Sequence, residues 1–490
     1  MWRIWVSSVC LTLLTTSFVS AKENRYFALY LEGSRCGYAE ETREVEGDKI
    51  ISSEKIHLEL SRMGTPIRLI VAETAIESPL GRPLGFKLEQ DMAMMKMTIE
   101  GHIRPDGMID IETTNAGNTV RTKSIYPQGA LMSEGLSILS KKHGLEPGTT
   151  YSADVFSPSL MQAQKTTFNV GNKEQVDLLG RVVELVEITG DFVVPGAGKT
   201  FFTTYVDSDY VSQKMIIPMV GMNIVMIACA EEFAKSGLEA KEMVSGMILK
   251  SPEKIHDVRT IKGIKYTFKP NTPDKPLQFP NTDNQKAEFL DDGRVSLMVK
   301  PVNGDPEAFF PYSGNDPEIN RALENTPFLQ AAHPEIIFLA KESVKGKRNA
   351  LEAAEAIEAF VGTYIDSKDL SVGYASALEV ARNRQGDCSE HAVLTAALCR
   401  AAGIPARVVF GVAYVDDFFG SGYCFGGHAW TQAYIGDKWI GLDASFKGAG
   451  LGGYDAGHIA LAISNGEPGD FFGMASSLGN FSIEKIEIVL

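Results

Sequence analysis

Between Arg25 and about Cys229 the chain alternates apolar and polar residues, and a period of two commits that stretch to strands. "YFALYLEGSRCGYAEETREV" alternates on both sides of a Gly-containing turn, "KIISSEKIHLEL" and "TPIRLIVAETAIE" follow, and "MAMMKMTIEGHIRPDGMIDIET" has a hairpin signature at Asp106-Gly107. Only "LMSEGLSILSKK", residues 131–142, breaks the pattern with helical spacing. Strands resume through "RVVELVEITGDFVV" and "TFFTTYVDSDYVSQKMI". The expectation is a large, half-buried antiparallel sheet carrying little chemistry. Its one motif-like string, "VVPGAGKT" at 193–200, has Val193 where a phosphate-binding loop needs its leading Gly, and it reads as a hairpin loop.

With 490 residues the chain exceeds what one core can hold, so further domains are expected. Residues 1–21 carry Arg3, an apolar run from Ile4 to Val19 and small residues at Val19-Ser20-Ala21, the pattern of a cleaved secretory signal. The antiparallel β domain is expected over 22–235. Residues 236–310, with the Pro-rich "FKPNTPDKPLQFPNTD", read as a small β module or a linker. From 311 to 490 the pattern is mixed. "HPEIIFLAKES" and "NALEAAEAIEAFVGTYI" have helical spacing, the latter with Leu351, Ala354, Ile357, Phe360, Val361 and Tyr364 on one face, most simply a core stripe. "ARVVFGVAYV", "GHAWTQAYI" and "KWIGLDASF" read as strands, and "FSIEKIEIVL" as a last one.

A net charge of −15 argues against a nucleic-acid partner. No later stretch is apolar for long enough to cross a membrane, so a secreted or periplasmic protein with no membrane span is expected. Five cysteines follow the leader, Cys36, Cys229, Cys388, Cys399 and Cys424. They are too few for a disulfide framework, and their odd number leaves at least one thiol free. The sequence leaves open whether Cys36 and Cys229 pair, while Cys399 and Cys424 read as packing residues.

The chemistry gathers around "RQGDCSEHAVLTAALCRAAGIPARVV". Asp387 and Glu390 make a capping-box pair, Gly403 ends the periodic run and Pro405 follows, so Cys388 is predicted at the first helical position. There the unpaired N–H groups and the positive end of the helix dipole favour a thiolate. A base and a group to orient it are found downstream. If "GGHAWTQAYIGDKWIGLDASF" turns at Gly436-Asp437, Ile435 faces Lys438, and His428 and Asp443 become diagonal neighbours on one face. Each residue alone has a structural explanation; the triplet is the sharper signal. His391, one turn along the helix from Cys388, is the competing base.

"GDCSEHAVLTAALCRAAGIPARVVFGV", "GGHAWTQAYIGDKWIGLDASF" and the later "DAGHIAL" resemble the core of the transglutaminase-like superfamily, in secreted bacterial proteins that place it after a long N-terminal β region. The resemblance spans roughly residues 315–470. It implies an α+β, papain-like transglutaminase core with Cys388 as nucleophile, His428 as general base and acid, and Asp443 as the orienting group. It further implies acyl transfer on amide bonds of peptides or proteins, with hydrolysis or amine transfer resolving the acyl-enzyme, and for a secreted protein the expected substrates are envelope or extracellular ones. The Cys388 N–H is the expected oxyanion donor, with Tyr374 or Gln385 as candidates for a second. No cofactor and no metal are expected. Two rivals stand beside this reading: a binding or scaffold domain that keeps the fold without the chemistry, and a Cys2His2 zinc module built from Cys388, His391, Cys424 and His428. Asp416-Asp417 is too sparse for a calcium site.

Overall fold

The computed structural model describes residues 22–490 except 63–64, 93–94, 116, 195–197, 220–221, 243–247, 272–276, 368–374, 419, 467–480 and 490. The leader expected at 1–21 and Tyr374 lie outside the described residues. The chain divides into two compact units, residues 1–243 and 244–490.

The first unit is a meander. Strands β1 (Lys22–Leu31), β2 (Ser34–Glu46), β3 (Lys49–Arg62), β4 (Thr65–Glu77), β5 (Pro83–Met92), β6 (Met95–Ile103), β7 (Met108–Asn115) and β8 (Asn118–Ile125) pair with their sequence neighbours. Helix α1 (Ser133–His143) interrupts them, and β9 (Thr150–Ser157), β10 (Gln162–Leu178), β11 (Arg181–Val194), β12 (Gly198–Val206), β13 (Ser212–Met219) and β14 (Met222–Cys229) follow. A short helix α2 (Glu231–Lys235) comes next, and β15 (Lys241–Glu242) lies parallel to β3. β1 pairs antiparallel with β14 and so joins the two runs into one sheet. The alternation seen in the sequence is the alternation of burial: in β7, Ile109, Ile111, Thr113 and Asn115 point inward while the residues between them are more open. The hairpin at Asp106-Gly107 forms with Gly107 in the left-handed region at φ 83°. The string 193–200 spans the β11–β12 connection, whose flanking Val194 and Gly198 pair antiparallel.

Cys36 on β2 and Cys229 on β14 sit on opposite sides of β1. Two strand spacings place them at least about 9 Å apart, beyond the Cα separation of about 7 Å that a disulfide tolerates. Both thiols are free.

The second unit holds two sheets. β17 (Gly263–Pro270), β18 (Gln285–Phe289) and β19 (Val295–Val299) form one with the last strand of the chain, β24 (Phe481–Val489), after β16 (Ile248–Lys250) has joined the other. The Pro-rich stretch is therefore the connection between two strands of one small sheet. A helical segment follows, with α3 (Pro317–Arg321), α4 (Pro334–Ser343), α5 (Ala350–Tyr364), α6 (Ala377–Asn383) and α7 (Cys388–Ala401). Then come β20 (Ala406–Val415), β21 (Cys424–Ile435), β22 (Lys438–Leu442), a one-turn helix α8 (Ala444–Gly448) and β23 (His458–Ser464). The second sheet runs β16-β21-β20-β23, with β22 added on β21.

The β21–β22 register is Ile435 opposite Lys438 through Thr431 opposite Leu442. The sequence expectation carried this strand on to Phe446, but the ladder stops at Leu442. Asp443 there turns its side chain onto the Phe446 N–H and starts α8. β23, a strand that the sequence pattern did not mark, pairs with β20. Helix α7 is tied to β21 where the Thr431 hydroxyl donates to the Ala392 carbonyl at 2.9 Å. α5 buries Ala354, Ile357 and Val361 as its spacing requires, while Leu351, Phe360 and Tyr364 lie at the half-buried margin.

Candidate active site

The start of α7 is built as the sequence indicated. The Asp387 carboxylate accepts the Ser389 N–H at 3.0 Å, and Glu390 reaches back to accept the Asp387 N–H at 3.0 Å. The other Glu390 oxygen accepts the Ala375 N–H at 2.9 Å and ties the segment ahead of α6 to α7. This fold-back passes so close to Gly386 that a Cβ there would meet the Glu390 Cβ at 2.2 Å. Burial, with the Asp387 charge beside it, pushes the Glu390 carboxyl up.

Cys388 is the first residue of α7 and is half-buried. The other thiols of this unit lie elsewhere in the packing. Cys399 is enclosed, and burial pushes it up to about 12, while burial also raises Cys424. Gln385 is in the loop just ahead of α7, bridged to Ser367. His391 is 1 % exposed and turns its Nδ1 onto the Asp387 carbonyl at 2.6 Å, an engagement within its own helix.

His428, on β21, is opposite Gly411 of β20. Its Nε2 is 2.8 Å from Asp443 Oδ2, so this nitrogen donates to the carboxylate and Nδ1 is left as the basic nitrogen. Asp443 is 1 % exposed and fully engaged: Oδ1 accepts the Phe446 N–H at 3.0 Å, and its own N–H donates to Glu358 Oε1 at 2.7 Å. Oδ2 also receives a second imidazole, Nε2 of His458, at 3.0 Å. Burial alone would raise the Asp443 pKa, but His428 and His458 outweigh it and hold the carboxyl well below the usual range. His458 shows the mirror image. Burial pulls it down, yet the Asp455 and Asp443 carboxylates carry it up to about 9. Phe446 and Trp430 flank His428, and Tyr454 lies against His458, so the pair is enclosed in aromatic surface.

Sequence reasoning missed two of these contributors. Glu358 lies in the apolar stripe of α5 and is 5 % exposed. It reaches Asp443 because α5 crosses α8 where Gly362 and Gly448 leave no room for a side chain; a Cβ on Gly362 would meet the Ala444 carbonyl oxygen at 2.8 Å. A glutamate in an otherwise buried stripe was the available signal. His458 stands in the quoted "DAGHIAL", where no role was given to it.

The zinc reading does not survive the geometry. Cys424 and His428 are four residues apart on one strand, and about 13 Å of extended backbone separates them. They cannot share a tetrahedral ion with donor atoms about 2 Å from the metal. Among the described residues the one group of three that comes within reach of a single ion is His428, Asp443 and His458, whose ligand atoms lie within 4.8 Å of one another. The His–Asp hydrogen bonds account for that proximity. Among the described residues no helix is long and apolar enough to cross a membrane.

The family comparison bears on the second unit. Residues 337–444 match the profile of the transglutaminase-like superfamily, a span that includes Cys388, His428 and Asp443. No curated protein matches the chain. Similar solved structures include a cysteine protease candidate from Cytophaga hutchinsonii, 19% identical over 47% of this chain and 86% of its own, with a TM-score of 0.30. The periplasmic domain of TgpA from Pseudomonas aeruginosa is 17% identical over 48% of this chain and 84% of its own, at a TM-score of 0.28. A β-barrel-like protein of a domain of unknown function from Brucella abortus is 11% identical over 43% of this chain and 96% of its own, at 0.32. These likenesses are too loose to transfer a function. The profile match stands on its own: residues 337–444 of this chain are similar to the core of the transglutaminase-like superfamily.

Proposed function

We propose that this protein is a thiol enzyme of papain-like core that acts on amide bonds of peptides or proteins outside the cytoplasm, with Cys388 as nucleophile, His428 as general base and acid, and Asp443 as the group that orients His428. The observation that carries this reading is the 2.8 Å bond from His428 to a buried, low-pKa Asp443, in a unit whose central helix begins with Cys388. Asp443 selects the tautomer in which Nδ1 can take a proton from the thiol. The thiolate attacks the carbonyl carbon, and the oxyanion is met by the Cys388 N–H at the helix start. The C–N bond breaks as His428 gives its proton to the departing amine, leaving a thioester. Water, deprotonated by His428, hydrolyses the thioester and releases the thiol; an amine in place of water gives transfer. Hydrolysis is the preferred outcome because it needs no second substrate site.

The testing measurement is the rate of Cys388 alkylation by iodoacetamide against pH. A rate that persists well below the ordinary thiol pKa of about 8.5, and that collapses in His428→Ala, supports the assignment. A rate that follows an ordinary thiol titration in both proteins overturns it and leaves a scaffold domain.

A further inference from the structure

We propose that His458 is a positioning residue of this site: it donates to the same Asp443 carboxylate oxygen as His428, and Asp455 holds His458 in turn. The proposal rests on the assignment of Cys388, His428 and Asp443 above. It goes beyond that assignment by extending the relay to four residues, Asp455, His458, Asp443 and His428.

The placement follows from the sheet. β20 pairs with β21 on one side and β23 on the other, so His428 on β21 and His458 at the start of β23 flank the same central strand. Asp443, at the end of β22, reaches both. His428 Nε2 at 2.8 Å and His458 Nε2 at 3.0 Å converge on one oxygen, Oδ2, while Oδ1 is taken by the Phe446 N–H. The Phe446 N–H and His428 place one donor on each oxygen, and His458 adds a second on Oδ2, so the oxygen that orients His428 is itself pinned by a second imidazole. His458 is itself fixed at its other nitrogen. Nδ1 is 2.9 Å from Asp455 Oδ1, and that oxygen also accepts the Gly457 N–H at 2.8 Å. The Asp455 N–H lies 3.2 Å from the same Nδ1, which would suit an unprotonated nitrogen. The shorter, charge-assisted contact with the carboxylate decides for a donor, because an unprotonated Nδ1 would set two lone pairs against each other.

All four side chains are removed from solvent: His428 is 6 % exposed, Asp455 5 %, Asp443 1 % and His458 0 %. Phe446, Trp430 and Tyr454 close around His458 with ring centroids at 5.2, 5.2 and 4.8 Å. A buried imidazole with a carboxylate oxygen at each nitrogen has no path to a substrate and no free nitrogen for chemistry. What it supplies is orientation, as outer partners of metal-bound or catalytic histidines do.

The experiment compares Cys388 alkylation by iodoacetamide at pH about 6 and about 9 in the full protein and in His428→Ala, His458→Phe, His458→Gln and Asp455→Asn, where the acid rate reports the His-dependent thiolate. The expected acid rate falls by about tenfold or more in His428→Ala, by about five- to tenfold in His458→Phe, and by about two- to threefold in Asp455→Asn, while His458→Gln, which keeps an N–H donor, stays within about twofold of the parent. Rates at the alkaline end stay equal. An acid rate unchanged in His458→Phe but lost in His428→Ala overturns the positioning role and leaves the catalytic assignment standing. An acid rate unchanged in His428→Ala overturns the assignment itself, and the proposal with it. Should His458→Phe fail to fold, the Asp455→Asn and His458→Gln pair decides: equal acid rates in both, at the parent value, overturn the proposal.

Discussion

Glu77 and Asp443 are the same device put to different ends. Each is a carboxylate at the end of a strand, almost fully buried, and each accepts backbone N–H groups at the start of a helix. Glu77, in the first unit, takes the Glu134 and Gly135 N–H groups of α1 at 2.7 and 3.0 Å. Asp443, in the second, takes the Phe446 N–H of α8. Their protonation runs in opposite directions. Burial pushes Glu77 up to about 7 despite its two N–H donors, whereas the two imidazoles beside Asp443 overcome the same penalty. At Glu77 two peptide N–H donors and the Arg43 charge do not offset burial, to which Glu134 adds; at Asp443 the two imidazoles do. The charge on Glu77 is therefore dispensable to its capping role, and the charge on Asp443 is what its neighbours are arranged around.

The largest expected effect separates these two directly. Asp443→Asn removes the charge that both histidines face and leaves His458 with one carboxylate, a loss of about 3–5 kcal/mol of stability by analogy with broken buried ion pairs. The acid-side alkylation of Cys388 should fall with it by about tenfold or more. Glu77→Gln keeps an acceptor for α1 and should cost about 1 kcal/mol or less, with Cys388 reactivity untouched. Denaturant unfolding together with alkylation rates checks both; equal costs for the two variants would dissolve the contrast.

The pH dependence of stability sharpens it. Glu77 moves from 4.5 to about 7 on folding, so its contribution is complete below 4.5 and is lost as pH rises through 7. His458 moves from 6.5 to about 9, so its contribution is complete below 6.5 and is lost as pH rises through 9. Each is worth about 3 kcal/mol at the most. Asp443 acts in the opposite sense, losing its contribution only as pH falls far into the acid range. Thermal midpoints measured from pH about 4 to about 10 should show one decline removed by Glu77→Gln and a second, at higher pH, removed by His458→Gln.

These contrasts also mark what could be read from the residues alone. The period-two run from Arg25 to Cys229 became a sheet because each strand has one buried face, and burial on one face is what alternation encodes. The capping pair Asp387 and Glu390 placed Cys388 because a helix start is a local event. The register of β21 on β22 was legible from a two-residue turn, and with it the approach of His428 to Asp443. The end of β22 was not, since Asp443 can continue a strand or cap a helix and only the Phe446 N–H decides. Glu358 and His458 were hidden for a different reason: their partners are 85 and 15 residues away in sequence, and neither is marked by spacing.

A smaller effect is expected at Glu358, which the comparison places between its two poles. Like Glu77, it is a buried carboxylate that accepts a backbone N–H and is pushed up by burial; like Asp443, it faces a cation, with Lys447 Nζ 3.2 Å from its other oxygen. Lys447 is 44% exposed, and an ion pair open to water contributes about 1 kcal/mol or less. Glu358→Gln keeps an acceptor for the Asp443 N–H, so stability should fall by about 1 kcal/mol and acid-side alkylation by about twofold. A drop as large as that of Asp443→Asn would mean that the charge on Glu358, and not its hydrogen bond, holds the turn into α8.

The smallest effect is expected at Cys424, and it bears on what makes a thiol a site at all. Cys388 and Cys424 belong to the same unit, but Cys388 opens a helix and is half-buried, whereas Cys424 opens a strand, is fully enclosed and is raised by burial. His428 lies about 13 Å from Cys424 along their shared strand. Cys424→Ala should therefore leave the rate and the pH profile of alkylation at Cys388 unchanged, at a stability cost of about 1 kcal/mol for the small cavity. Mass spectrometry of partly alkylated protein should find the label on Cys388 well before Cys424. Early labelling of Cys424, or a changed Cys388 profile in Cys424→Ala, would show that the helix start is not what distinguishes the two thiols.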